Sequence, residues 1–324
     1  MVPDLQVNNL SVQFRSDEGH VNAINGVSLV VPAGKAVAIV GESGSGKSTV
    51  MMSVPRLLPG NACVRGEILF DGCDMLKLSE KALRARRGKD IGMIFQNPSA
   101  YLNPTKTVGQ QLIEPLLYHH MASAAAAKKT AISLLDQVGI ADPDARFNMY
   151  PFEFSGGMLQ RVMIAIALIA SPKLLIADEP TTALDVTVQA EILMLLKQLQ
   201  RDRGMSLVFI THDLAVAAQL CDEVYVMYGG MVMEHIPVPS LVNQCSHPYL
   251  QGLLNSIPRL NEPVGRLPFI PGNPINTTRA LPDGCIFADR CTAKMDICSK
   301  RPPLFSYAAH HEVACWLAQT GGIA

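Results

Sequence analysis

The chain has 324 residues, of which 48% are hydrophobic and 17% are charged, so it can form one large or two ordinary domains. Its formal net charge of −1 gives no general attraction to nucleic acid or to anionic lipid. The longest strongly apolar stretch, residues 162–172, is shorter than the roughly 20 residues that a membrane-spanning helix needs.

A glycine-rich loop follows the first candidate for a buried strand. Residues Ala36–Val40 form a short apolar run, which favours a buried parallel strand. Residues 41–48 then read Gly-Glu-Ser-Gly-Ser-Gly-Lys-Ser and fit the phosphate-loop pattern G-x-x-x-x-G-K-[ST]. In that pattern backbone N–H groups surround the phosphates of a nucleotide, the lysine meets the β and γ phosphates, and the last serine holds Mg²⁺. The residues predicted to bind the nucleotide are Gly41, Ser43, Gly44, Ser45, Gly46, Lys47, Ser48 and Thr49.

The alternative interpretation is a glycine-rich turn that binds no ligand. It leaves the Lys-Ser ending and the flanking strand unexplained, whereas the phosphate loop accounts for both. Further along the chain, the alanine-rich residues 122–127 predict a helix with a solvated face.

Two later strand candidates end in polar residues. Residues 174–177 are apolar and lead to Asp178 and Glu179, and the carboxyl end of a strand is where α/β sheets place their ligand sites. Asp178 suits the Mg²⁺ shell and Glu179 suits a base that polarises water. Residues 206–210 lead in the same way to His212, a candidate contact for the γ phosphate or the attacking water. The alternatives are a solvated strand end for the acidic pair and a structural role for the histidine.

The end of the chain differs in composition from the rest. Prolines are frequent between Ile257 and Pro303 and favour loops, so we place a domain boundary near residue 240, between domains 1–240 and 241–324. Residues 1–5 lack the basic and apolar regions of a secretory signal, so we expect a cytosolic location. Structural disulfides are rare in the cytosol.

Four of the eight cysteines fall within the last 40 residues, at Cys285, Cys291, Cys298 and Cys315. Four thiolates fit either an iron–sulfur cluster or a tetrahedral zinc site, although zinc favours closer cysteine pairs than these. Four buried free thiols are the third possibility. With four thiolates available, His310 and His311 are expected to be ordinary surface residues.

The motifs together resemble those of the ATPase subunits of ABC transporters. The matching residues, in the family's order and spacing, are the phosphate loop, Gln96, Ser155-Gly156-Gly157, Asp178-Glu179, Asp185 and His212. The resemblance covers about residues 5–240 and implies an α/β fold: a P-loop core of mixed sheet with helices, a β subdomain and a helical signature subdomain. A small, loop-rich C-terminal domain would follow.

The resemblance also implies that ATP is bound between two chains. In this family the Ser-Gly-Gly signature of one subunit faces the phosphate loop of the other. Ser155, Gly156 and Gly157 precede an apolar helix candidate, so they offer a second phosphate-binding helix N-terminus. One chain alone would leave these donors unused.

Further roles are implied residue by residue. Gln96 matches a glutamine that contacts Mg²⁺ or water and lies at the groove that receives the membrane subunit, so Ser48, Gln96 and Asp178 would hold Mg²⁺. The catalytic residues would be Glu179, His212 and Gln96.

Two more residues match the family at the nucleotide site. Asp185 matches the loop that links the two ATP sites. Phe14 matches an aromatic that stacks on adenine, the alternative being a core aromatic of a strand.

The C-terminal part, including Ser246-His247-Pro248-Tyr249, resembles the extension of oligopeptide and dipeptide importer ATPases, and in particular the D-type subunit of dipeptide importers. In that branch the four cysteines bind a 4Fe-4S cluster, so this cluster is expected at Cys285, Cys291, Cys298 and Cys315, with Zn²⁺ as the alternative. The expected cofactors are therefore ATP, Mg²⁺ and the cluster.

The resemblance implies uptake of dipeptides, oligopeptides or similar small solutes, powered by ATP hydrolysis. The expected partners are a second, homologous ATPase forming a heterodimer, two transmembrane permease subunits and, indirectly, an extracytoplasmic solute-binding protein, but no nucleic acid. The chain would lie peripherally at the cytoplasmic face of the inner or plasma membrane. The alternatives are a soluble ABC ATPase in translation or DNA repair, an exporter, or an importer of nickel chelates, opines or glutathione.

Overall fold

The computed structural model describes residues 3–16, 19–182, 184–257, 268–278, 281–308 and 310–319. The strands within these ranges are β1 Pro3–Ser16, β2 Gly19–Pro32, β3 Ala36–Val40, β4 Ala62–Phe70, β5 Cys73–Asp74, β6 Ile91–Ile94, β7 Leu174–Asp178, β8 Ser206–Thr211, β9 Glu223–Tyr228, β10 Met231–Pro237, β11 Phe305–Ala308 and β12 His311–Val313. The α-helices are α1 Lys47–Ser53, α2 Glu80–Arg84, α3 Pro98–Tyr101, α4 Val108–Tyr118, α5 Ala124–Gln137, α6 Pro143–Phe147, α7 Gly156–Leu168, α8 Val186–Arg203, α9 Leu214–Leu220 and α10 Pro248–Asn255.

The chain forms two compact units, each assembled from separate segments. The first unit consists mainly of Leu69–Ile210, and the second mainly of Gln6–Val30, Val37–Ile68 and the residues from Thr211 onward. These units follow contacts in space rather than composition, and the division into domains 1–240 and 241–324 stays a prediction.

In the first unit, β6, β7 and β8 are parallel neighbours, with Leu174 opposite both Ile91 and Ser206. Residues 174–177 of β7 are 0% exposed, as expected for an apolar run in a parallel sheet covered on both faces. The strands predicted at 174–177 and 206–210 are confirmed, each with one more residue at its carboxyl end.

Helices α4, α5 and α7 of this unit pack against one another. Helix α5 confirms the helix expected at the alanine-rich stretch, and it begins where Ser123 Oγ accepts the N–H of Ala126. Among the helices that the structure describes, none combines the length and the apolar character needed to cross a membrane.

In the second unit, β3 pairs with β9 in parallel, and β9, β10, β12 and β11 follow as antiparallel neighbours. Strand β1 lies between β2 and β4 in another sheet. The predicted buried strand Ala36–Val40 is confirmed as β3, whose five residues are at most 2% exposed. The fold is therefore α/β with parallel and antiparallel strands, as predicted.

The pairing of β12 with β10 buries a histidine that the sequence placed on the surface. His311 is 1% exposed, and its Nε2 lies 2.8 Å from Oε1 of Glu234, a carboxylate with no exposed surface. The surface prediction is therefore wrong for His311, because no local pattern reveals this strand pairing. His310, whose side chain is 72% exposed, lies on the surface as predicted.

Candidate active site

The phosphate loop connects β3 to α1, and its shape depends on glycine. A Cβ at Gly41 would lie 2.1 Å from the carbonyl oxygen of Met227, closer than any real contact. Gly44 and Gly46 have φ angles of +78° and +97°, in the region that other residues rarely adopt. The loop therefore packs against the end of β9 and turns as the sequence pattern requires.

Two polar side chains of the loop are buried. Lys47 is 5% exposed, and its Nζ donates to the carbonyl oxygens of Gly41 at 2.8 Å and Glu42 at 3.0 Å. Ser45 is 3% exposed, and its Oγ has no hydrogen-bond partner among the described residues. A buried hydroxyl without a partner costs roughly 1–3 kcal/mol, which a ligand oxygen bonded to it would remove. The donors and the glycine turns of this loop therefore fit a phosphate group.

Ser48 and Thr49 lie in the first turn of α1, and both are partly exposed. The Ser48 hydroxyl is an oxygen ligand of the kind that Mg²⁺ takes in proteins. Its role as a magnesium ligand stays a prediction.

Glu179 lies directly after β7 and adopts a strained backbone. Its φ is +45°, which costs a non-glycine residue about 1–3 kcal/mol and is a kind of strain that recurs at active sites. Three hydrogen bonds of 3.0 Å hold it there: its N–H donates to Ile210, and its Oε2 accepts from Gln96 Nε2 and from Thr182 Oγ1. The carboxylate is thus oriented by one side chain that follows β6 and another that follows β7.

Gln96 and Glu179 were each predicted to be catalytic. The structure brings them together although they are 83 residues apart in sequence. Sequence reasoning did not select Thr182, although a hydroxyl three residues after a candidate base is a signal that could have identified it. Asp178, the last residue of β7, is partly exposed. Carboxylate and amide oxygens suit Mg²⁺, so Asp178 and Gln96 are chemically fit for the role predicted for them.

His212 follows β8 and is exposed. The next residue, Asp213, caps α9 by accepting the N–H groups of Ala215 at 2.8 Å and Val216 at 3.3 Å. Phe14 lies in β1 and is partly buried. The catalytic role of His212 and the adenine-stacking role of Phe14 stay predictions.

The signature residues begin α7. Ser155 Oγ accepts the N–H of Met158 at 3.4 Å, and both Ser155 and Gly156 are exposed. A Cβ at Gly157 would lie 3.0 Å from Cγ1 of Val188, so the start of α7 packs beside the start of α8.

Asp185 caps α8 through a 3.0 Å bond from the N–H of Val188 to its Oδ1, and it is exposed. The signature and Asp185 therefore lie at two neighbouring helix N-termini on the first unit.

The predicted metal cluster is not supported. Cys298 and Cys315 are each 8% exposed, and Cys285 and Cys291 are partly exposed. No group of three or more His, Cys, Asp or Glu side chains in the described parts of the chain could hold a metal ion. The prediction of a 4Fe-4S cluster at these four cysteines is therefore wrong, and nothing supports its zinc alternative.

Burial also affects the ionisation of these thiols. Burial raises the pKa of Cys285 and Cys291, and it raises the pKa of Cys315 to about 11. Charges on neighbouring cysteines would add to each rise, so the thiols do approach one another. In the chain without a bound metal, these surroundings therefore favour the neutral thiol.

Comparison with known proteins decides the family. The family profile described as ABC transporter matches residues 24–182, and that described as oligopeptide/dipeptide transporter, C-terminal region, matches residues 233–298. The oligopeptide transport ATP-binding protein OppD of Salmonella typhimurium is 47% identical over 96% of this chain and 93% of its own length. This chain belongs to the ABC transporter family.

Other comparisons agree with this membership. The dipeptide transport ATP-binding protein DppD of Bacillus subtilis is 48% identical to this ABC subunit over 97% of the chain and 94% of its own. A solved ATP-binding cassette, a dimer in a post-hydrolysis state bound to ADP and Pi, matches with a TM-score of 0.65 and 30% identity. The match covers 72% of this chain and 98% of the length of the solved cassette. The chain is thus an ATPase subunit of an ABC transporter.

Proposed function

We propose that this ABC subunit hydrolyses ATP to power the uptake of dipeptides or oligopeptides through a membrane importer. The observation that carries the proposal is that similarity to the oligopeptide and dipeptide transport proteins spans nearly the whole chain. It includes the C-terminal region as well as the ATP-binding part.

The phosphate loop binds the nucleotide, and residues at the strand ends hold Mg²⁺ and the attacking water. Backbone N–H groups of residues 41–48 and the Lys47 ammonium hold the β and γ phosphates. Ser48, Gln96 and Asp178 would hold Mg²⁺, which supplies charge neutralisation at the phosphates. Phe14 stacks on adenine.

Glu179 is the base that polarises the attacking water. The bonds from Gln96 and Thr182 to one of its oxygens fix the carboxylate before the nucleotide arrives, so no reorganisation is needed during the reaction. His212 assists by contacting the γ phosphate or the water.

A second ATPase chain completes the ATP site. Ser155, Gly156 and Gly157 form the start of α7. As a helix N-terminus, this start can bind a phosphate of a nucleotide held by the partner's loop. Asp185, at the neighbouring start of α8, links the two sites. The partner is a homologous, non-identical ATPase, so the signature and phosphate loop of this chain serve two different ATP sites.

A groove in the first unit suits the membrane permease subunits. It has a volume of about 330 Å³, and its lining includes Phe95, Tyr101 and Tyr118. Tyr101 is 56% exposed and Tyr118 is 60% exposed, so large aromatic surface is available for a partner. The ring of Phe95 stacks on that of Tyr101 at 3.9 Å, and Phe95 precedes Gln96 in sequence. Docking here places the chain peripherally at the cytoplasmic face of the membrane.

Copurification tests the assembly. The tagged full-length chain, extracted from membranes in mild detergent, is expected to bring down two permease subunits and a second ATPase. Tyr101→Ala should weaken permease recovery, because exposed aromatic residues provide much of the binding energy at interfaces. Phe269→Ala, an equally exposed aromatic outside the groove, is the matched control. Recovery of ribosomes or DNA in place of the permeases would contradict a role in transport.

A further inference from the structure

Glu42, the second residue of the phosphate loop, is held through three of its groups. Its N–H donates to Tyr249 Oη at 3.0 Å, and its carbonyl accepts Lys47 Nζ at 3.0 Å. Its carboxylate accepts two bonds from Arg290, Nη1 to Oε2 at 2.8 Å and Nη2 to Oε1 at 3.1 Å. Two of the three groups are therefore bonded by residues far along the chain, in the C-terminal region.

Arg290 is itself fixed in place. It is 7% exposed, and its Nε donates to the carbonyl oxygen of Pro271 at 2.9 Å. Its guanidinium lies 5.6 Å from the ring centre of Tyr228 and 6.0 Å from that of Phe287. A planar guanidinium that forms two parallel bonds to a carboxylate fixes the orientation of that group as well as its position.

Tyr249 is fixed by the same cluster. It is 0% exposed, and its ring lies 5.0 Å from that of Tyr228 and 5.2 Å from that of Phe287. These ring contacts therefore fix the position of the hydroxyl that accepts the Glu42 N–H.

The position of Glu42 matters because the direction of each loop N–H determines how well a phosphate is bound. The Glu42 carbonyl also holds the ammonium of Lys47, the group assigned to the β and γ phosphates. A change in the orientation of Glu42 would therefore shift both the loop N–H groups and the Lys47 ammonium.

We propose that Arg290 is a positioning residue for the nucleotide, which acts through Glu42 to set the phosphate loop and Lys47. The C-terminal region thereby tunes ATP affinity. This proposal rests on the assignment of residues 41–48 as the phosphate loop.

The test measures ATP affinity and unfolding of the full-length chain in parallel. Arg290→Ala is expected to raise the Kd for ATP about tenfold, because a charge-assisted bidentate contact is lost. Arg290→Lys should recover part of this affinity, because a lysine keeps the charge but not the two parallel bonds. In the membrane complex, the KM for ATP should rise while kcat changes little.

Arg301→Ala is the matched control, because the Arg301 side chain donates to the carbonyl oxygens of Pro282 and Gly284, which both lie in the C-terminal region. It is expected to lower the urea midpoint without raising the Kd for ATP. An unchanged Kd in Arg290→Ala, or an equal rise in Arg301→Ala, would overturn the proposal.

A double-mutant cycle with Glu42→Ala tests the route of the effect. If Arg290 acts through Glu42, the Kd for ATP of the double variant should be no higher than that of the weaker-binding single variant. Additive losses of binding free energy in the double variant would contradict the proposal. Lys47→Ala separates this result from the site assignment. If Lys47→Ala leaves ATP binding intact, the phosphate-loop assignment fails, irrespective of Arg290.

Discussion

At the residue scale, Gly41 shows how closely the phosphate loop packs. A methyl group there would lie 2.1 Å from the Met227 carbonyl oxygen and 2.8 Å from Ser45 Oγ. The carbonyl belongs to the end of β9 and cannot easily move, so Gly41→Ala should lower the free energy of unfolding by about 1–3 kcal/mol. ATP binding should be lost as well, because the loop must shift.

Urea unfolding and nucleotide binding check this prediction. Gly60→Ala is the control, because a Cβ at Gly60 meets nothing within 4 Å. Its unfolding free energy is expected to change by less than about 0.5 kcal/mol. Equal stability of the two variants would contradict the packing of the loop against β9.

The residues of the phosphate loop could be predicted because their pattern is contiguous, and each glycine serves a local backbone requirement. Gln96 could be placed near Glu179 only through resemblance to a family. Arg290 was beyond prediction, because it lies 248 residues from Glu42 and belongs to no recognisable pattern. Long-range ion pairs depend on the fold, which the sequence does not display locally.

At the element scale, α10 is capped at its N-terminus by a histidine that should remain neutral. His247 Nδ1 accepts the N–H of Tyr249 at 3.0 Å, and burial lowers the pKa of His247 from 6.5 to about 4. Below pH 6.5 the unfolded chain takes up a proton that the folded protein does not. The contribution of neutral His247 to the free energy of unfolding is therefore fully present above about pH 6.5. It falls by roughly 3 kcal/mol as the pH drops to about 4.

His247→Asn tests this pH dependence, because asparagine keeps a capping acceptor but does not titrate. The loss of unfolding free energy between about pH 7 and about pH 4.5 should be smaller in this variant than in the native chain. His120→Asn, at an exposed position with a φ of +53° that asparagine tolerates, should behave like the native chain. An equal loss in His247→Asn and the native chain would contradict the assignment.

Elements of the sheet were predictable, but side-chain clusters in the C-terminal region were not. Strands β3, β7 and β8 are short apolar runs, and this pattern predicted their burial and their ends to within one residue. Cysteine spacing, in contrast, does not determine where the backbone places the sulfur atoms. The predicted cluster was wrong for this reason, whereas the surface position predicted for His311 was wrong because β12 pairs with β10.

At the scale of the whole molecule, we propose that the signature serves a nucleotide held by another chain. Ser155→Arg adds a long side chain at an exposed helix start, where it would obstruct the partner's phosphate. The isolated chain should bind ATP as before, while hydrolysis in the membrane complex should fall at least about tenfold.

Val242→Arg places the same side chain at another exposed position and should affect neither measurement. A loss of ATP affinity in the isolated Ser155→Arg chain would instead place the signature at this chain's own nucleotide.

We propose that ATP hydrolysis by this chain powers peptide uptake, with Glu179 as the base. The direct measurement uses the importer reconstituted in liposomes, with its binding protein and a labelled peptide, and follows ATP hydrolysis and uptake together. Native complex should show both, and Glu179→Gln should lose both by about 10²-fold or more while still binding ATP. Uptake that persists near the native rate in Glu179→Gln, or hydrolysis that no peptide stimulates, would contradict the account.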